Sequence, residues 1–102
     1  MYQLVIQFPL NSTFPSAAEF EAVVAIEEQL ERDAGDAYEV DGHDAGAGEM
    51  NIFIITDDAV ATFNSIEDKL PAGLRWRAGF RDLDADDYTP LAPAGLATFE
   101  VQ

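Results

Sequence analysis

The chain has no cysteine, one histidine (His43), one lysine (Lys69) and four arginines, set against twenty aspartates and glutamates. Without cysteine there is no disulfide framework, no thiol nucleophile and no Cys-based zinc site. The formal net charge is -15 and cations are few, so neither a phosphate backbone nor an anionic bilayer finds the clustered Lys and Arg it needs. Nucleic acid and membrane are therefore not expected as partners. No run of about 18 apolar residues is present, which removes a spanning helix. The first residues carry no basic region and read directly as a strand, so no signal peptide is expected and the expected location is the cytoplasm. What remains is a chain of 102 residues, 48% of them hydrophobic, which suits one α+β domain with its own core. No cofactor is expected.

Hydrophobic periodicity orders the elements. Tyr2, Leu4, Ile6 and Phe8 alternate with Gln3, Val5 and Gln7, the period of a half-buried strand. Pro9 and the polar Asn11-Ser12-Thr13 end it. Ser16 followed by Glu19 forms a capping box, and Phe20, Val23, Ile26, Leu30 and Ala34 recur at helical spacing, predicting a helix over 16–34 that stops at Gly35. Two strands follow, at about 37–43 and 49–56, joined by a glycine-bearing loop at 44–48. Asp57 or Asp58 caps a second helix whose buried face is Ala59, Phe63, Ile66 and Leu70. A fourth strand at 74–81 sets Trp76, Ala78 and Phe80 against Arg75, Arg77 and Arg81. Strand, helix, strand, strand, helix, strand is the ferredoxin-like βαββαβ order, an antiparallel sheet with both helices on one face and a usual strand order of 4-1-3-2. Residues 82–102 form a C-terminal extension too apolar to hang free. It is expected to dock and to add an edge strand at about 96–101.

A hairpin with a 44–48 loop pairs His43 with Glu49, Asp41 with Asn51 and Glu39 with Phe53. It sends the apolar Tyr38, Val40, Met50, Ile52 and Ile54 to the helices. Asp41, His43, Glu49 and Asn51 then share the open face of the sheet, with opposed β-carbons roughly 4.5–5.5 Å apart. One reading of that cluster is a general acid-base histidine oriented by a carboxylate, or a divalent-metal site of one nitrogen and two oxygens. The competing reading is a solvated strand face with a histidine bonded to a neighbouring acid.

Other segments say less. Gly46-Ala47-Gly48 joins two strands inside a stretch of charge -7, the wrong field for a phosphate cradle. Asp82, Asp84 and Asp86 begin like a calcium loop, but Asp87 stands where glycine is needed and Pro93 where the bidentate glutamate belongs, so this is no EF-hand. No motif sets a serine beside the lone histidine, so a serine-hydrolase arrangement has no support. Arg75, Arg77 and Arg81 are expected on the open face, where they either grip an anion or compensate the acids of the sheet. Val5, Phe53 and Ile55 also face that side and need a cover. Either the tail supplies it through Leu96 and Phe99, or a second copy does, in a homodimer through the open face.

The stretch from Val40 to Asp58, with Gly42-His43-Asp44, Gly46, Gly48-Glu49 and Asn51-Ile52-Phe53-Ile54, resembles a segment of small uncharacterised bacterial proteins, some of the immunity-protein kind. It covers about a fifth of the chain. The resemblance implies one domain built around this hairpin and a binding role, and it brings no catalytic residues. Residues 36–58 contain seven acids and no lysine or arginine, whereas residues 59–81 carry a net +2. The leading expectation is therefore a non-enzymatic interaction protein, an immunity or inhibitor protein that meets a basic partner. Its binding residues would be Asp36, Glu39, Asp41, His43, Asp44, Glu49 and Asn51, with Asp84, Asp86 and Asp87 as a second patch. The alternative is a small-ligand or metal site, and a potential enzyme, around Asp41, His43 and Glu49. A third possibility is that the acidity is an adaptation to high salt and names no partner.

Overall fold

Burial of one apolar stripe per helix against one face of the sheet organises the molecule. The computed structural model describes residues 1–71 and 73–101. Its elements are β1 (Tyr2–Pro9), α1 (Ala17–Ala34), β2 (Glu39–Gly46), β3 (Glu49–Thr56), α2 (Ala59–Ile66), a 3-10 turn (Glu67–Lys69), β4 (Arg77–Asp82) and β5 (Thr89–Ala92). The five strands make one antiparallel sheet in the order β2-β3-β1-β4-β5. Leu4, Ile6 and Phe8 of β1, Met50, Ile52 and Ile54 of β3 and Ala78 of β4 meet Val23, Ile26 and Leu30 of α1 and Phe63 and Ile66 of α2 in a single core. Among the described residues no helix is long and apolar enough to cross a membrane.

Local chemistry places the helices. Ser16 caps α1, its hydroxyl accepting from the Glu19 backbone N–H at 3.1 Å while the Ser16 N–H donates to Glu19 Oε1 at 2.9 Å. Asp58, rather than Asp57, caps α2 by accepting from the Ala61 N–H at 3.1 Å. The α1 stripe differs from expectation at its start. Phe20 is 41% exposed, and Glu27 is buried in its stead on the line Val23, Glu27, Leu30, Ala34.

The extension from Asp82 corrects another expectation. Its edge strand is β5 at 89–92, not 96–101, and it lies outside β4. Residues 96–101 instead cross the face of the sheet away from the helices. Phe99 is buried there, directly over Gly79. A β-carbon at Gly79 would stand 2.5 Å from Phe99 Cδ1, so glycine is what allows the ring to lie down. Val5, paired with Gly79 across the β1/β4 ladder, is thereby fully buried on a face that would otherwise be open. The tail thus supplies part of the cover that the apolar strip requires. Phe53 and Ile55, further along the sheet, stay half-buried, and a second copy would find only that remainder.

Two measurements check this account. Gly79→Ala is expected to lift Phe99 off the sheet, costing about 1–3 kcal/mol in urea denaturation and speeding proteolysis of the tail; unchanged stability and protection would contradict the packing. The Glu19 carboxyl is held below its ordinary pKa, chiefly by the Ser16 backbone N–H. A depressed native pKa contributes stability above the ordinary carboxylate range that is lost as pH falls through the lowered value. The stability gap between wild type and Glu19→Ala should therefore narrow on acidification, and a gap independent of pH would refute the capping role.

Candidate functional site

The β2-β3 hairpin decides which acids meet. Its turn is two residues long, Ala47 and Gly48, both with positive φ (54° and 81°), the geometry that matches the twist of paired strands. A bulge between Val40 and Gly42 leaves Asp41 without a cross-strand partner, and Gly42 adopts a φ of 110°. One extra residue reverses the parity of everything after it. Glu39 pairs with Ile55 on the open face, but beyond the bulge His43 pairs with Ile52 and Asp44 with Asn51.

The expected constellation of Asp41, His43, Glu49 and Asn51 is therefore not formed. His43 turns to the helix side, where its Nδ1 lies 2.9 Å from Oε1 of the buried Glu27 and its ring meets Phe20 edge-on at 5.7 Å. Asp41 sits exposed at the bulge, and Asp36 is exposed in the turn after α1. Among the described residues no three His, Asp or Glu side chains converge as metal ligands.

A different cluster occupies the open face. Asp44, Asn51 and Glu49 come together there with Gln7 of β1 and Arg77 of β4. Arg77 Nε donates to Gln7 Oε1. Gln7 Nε2 donates to Glu49 Oε2 (2.9 Å), to Asn51 Oδ1 (3.0 Å) and to the Glu100 carbonyl of the tail (2.9 Å). Asn51 Nδ2 donates to Glu49 Oε2 (3.0 Å) and to Asp44 Oδ1 (2.8 Å). The chemistry fixes both amides. Guanidinium can only donate and carboxylate only accept, so each amide must turn its oxygen toward β4 and its nitrogen toward the acids. The two N–H groups of Gln7 serve three acceptors, so at least one is shared. Gln7, Glu49 and Asn51 are all buried, and no buried side-chain polar atom among the described residues lacks a partner. The result is a polar relay across four strands, from a cation on β4 to an acid on β2.

A second link runs parallel to it. Arg81 Nε donates to Gln3 Oε1 at 3.1 Å, and the Tyr88 hydroxyl donates to the same oxygen at 2.9 Å. Arg81 Nη1 also donates to the Ala85 carbonyl at 2.9 Å, closing the acidic turn after β4, and its guanidinium lies 5.9 Å from the Tyr88 ring centre. The aspartates at 82–87 thus surround a turn gathered onto an arginine. Arg77 and Arg81 are engaged within the sheet, while Arg75 lies exposed before β4 begins.

Sequence reasoning missed Gln3 and Gln7, although a signal was present. The pair is spaced four apart on β1, as Arg77 and Arg81 are on β4, and the antiparallel register matches both. Glu27 was missed as well, although it is an acid on a helical line otherwise apolar. The hollows nearby are shallow or small: about 140 Å³ among Glu49, Arg77, Thr98, Phe99 and Glu100, and about 480 Å³ between β5 and the tail, lined by Asp86, Asp87, Tyr88 and Pro90. Comparison with protein-family models, with curated proteins and with solved structures gave no match.

Gln7→Leu keeps the bulk but strips Arg77, Glu49 and Asn51 of a partner at once. It should cost about 2–4 kcal/mol in urea denaturation, against less for Gln3→Leu at the half-buried neighbouring link. Equal small losses at the two positions would show that the relay does not hold the sheet face together.

Proposed function

We propose that the chain is a non-enzymatic acidic interaction module, of the immunity or inhibitor kind, that binds a basic protein through the β2 edge of a ferredoxin-like sheet. The spatial order β4-β1-β3-β2, with one strand added beside β4, supports the fold assignment. The functional reading rests on one observation. Asp36, Glu39 and Asp41 are exposed and have no ion pair among the described residues, whereas Arg77 and Arg81 are occupied at the far side of the sheet. Among the described residues, Lys69 pairs with Asp33 and the His43 ring bonds Glu27 on the helix side of β2; neither contact engages Asp36, Glu39 or Asp41. A surface of one sign that the fold does not neutralise is complementary to a cationic one. It speeds encounter and rejects acidic competitors. The alternative of a ligand or metal site around Asp41, His43 and Glu49 loses its geometric basis, since the bulge sends His43 and Glu49 to opposite faces.

The test is retention. Immobilised protein is exposed to lysate of the source organism at low salt and eluted with a salt gradient, beside a variant carrying Asp36→Asn, Glu39→Gln and Asp41→Asn. The expected result is a basic protein held stoichiometrically, released by salt, and bound about tenfold or more weakly by the variant. Retention that ignores salt and the three substitutions, or no basic protein retained, would overturn the proposal.

A further inference from the structure

We infer that the free edge of β2 is a strand-addition site that takes an extended, Lys/Arg-rich segment of the partner. This rests on the interaction reading above and specifies its geometry.

The sheet has two edges, and they are unlike. β5 is four residues long and contains Pro90, which has no N–H to give a neighbour. β2 is eight residues long and pairs with β3 alone. Among the described residues, no backbone–backbone hydrogen bond outside the ladders reaches residues 39–46; the backbone of the loop after β1 meets the hairpin at Gly48, beyond the end of the strand. One side of β2 therefore presents N–H and C=O groups that no part of the described fold engages.

The side chains along this edge select the occupant. Glu39, Asp41 and Asp44 are exposed on it. A second copy pairing antiparallel by a two-fold axis would set these acids against their own counterparts, and like charges directly opposed are destabilising. A basic strand meets the same row with opposite charge. The flank toward α1 adds apolar surface. Phe14 is 68% exposed, and its ring comes within 3.7 Å of a β-carbon position on Gly46; Phe20 is 41% exposed and packs on His43. Strand addition uses backbone bonds for affinity and surfaces for alternate side chains for specificity. Here cations on one face of the incoming strand would lie by Glu39 and Asp44, and apolar residues on the other by Phe20 and His43.

The probe is a fluorescein-labelled peptide, Arg-Val-Lys-Val-Arg-Val-Lys, compared with the same sequence N-methylated throughout, which keeps the charge but removes the N–H donors. Binding is read by fluorescence anisotropy at low salt, and amide hydrogen exchange is followed at residues 39–46. The expected result is binding of the first peptide, binding of the second at least about tenfold weaker, and slowed exchange along β2 with the first only. Glu39→Lys with Asp41→Lys, whose side chains make no hydrogen bond or ion pair among the described residues, should abolish binding while the fold survives. Equal affinity for the two peptides with β2 exchange unchanged would overturn strand addition and leave the acidic-surface reading standing. Failure of the first peptide, while an intact basic protein is still retained in the salt-gradient experiment, would do the same. Failure of both experiments removes the acidic-surface reading as well. Protection of β2 that grows with protein concentration, without peptide, would identify a second copy as the occupant and also overturn the proposal.

Discussion

The side-chain amide of Gln7 is the constraint on which the sheet's outer face depends. It lies in the middle strand, buried, between an arginine on one neighbour and a glutamate and an asparagine on the other. Burying a carboxylate is costly unless it is hydrogen-bonded, and the two amides Gln7 and Asn51 both donate to Glu49 Oε2. The same Gln7 nitrogen holds the Glu100 carbonyl, and so draws the tail across the sheet beside the Phe99 ring. A polar residue in the centre of the sheet thus fixes the amide orientations, the placement of the C-terminal segment and the burial of Val5. The Gly79 notch completes that arrangement, since any side chain there would meet Phe99.

This arrangement also sorts the charge. With few cations available, the fold uses Arg77 and Arg81 at the β4 side, linked through Gln7 and Gln3, and uses Lys69 to join Asp33 near the end of α1 at 3.1 Å. None of these reaches the acids at the turn after α1 and along the start of β2. Asp36, Glu39 and Asp41 thus leave uncompensated negative charge along the long β2 edge of the sheet. Edge strands are commonly protected by charge against indiscriminate pairing. Charge of one sign protects against copies of itself and against neutral strands while leaving a strand of opposite charge free to approach, so protection and selectivity are the same physical property here.

Much of the scaffold was legible in the sequence because it rests on local chemistry. The alternation of β1, the Ser16–Glu19 capping box and the cap at the start of α2 each depend on residues within a few positions of one another. The hairpin was harder. Ala47 adopting positive φ shortens the turn to two residues, and the bulge at Asp41 depends on a glycine whose conformation the letter alone does not announce. Together these moved His43 across the sheet and brought Asp44 to Asn51, so the candidate cluster changed membership while its acidic character persisted. The burial of Glu27 beneath His43 and the course of residues 96–101 are long-range choices. Only the finished packing makes them, though Glu27 on an apolar helical line and the matched Gln/Arg spacing pointed toward them.

Residue-resolved hydrogen exchange on the free protein tests the central claim most directly, since it reads the relay and the free edge together. The account predicts slow exchange for the side-chain amides of Gln7 and Asn51. It also predicts an alternation along residues 39–46, with amides facing β3 protected and those on the outer edge exchanging close to unprotected rates. Uniform protection along β2, together with freely exchanging Gln7 and Asn51 amides, would contradict it on both counts.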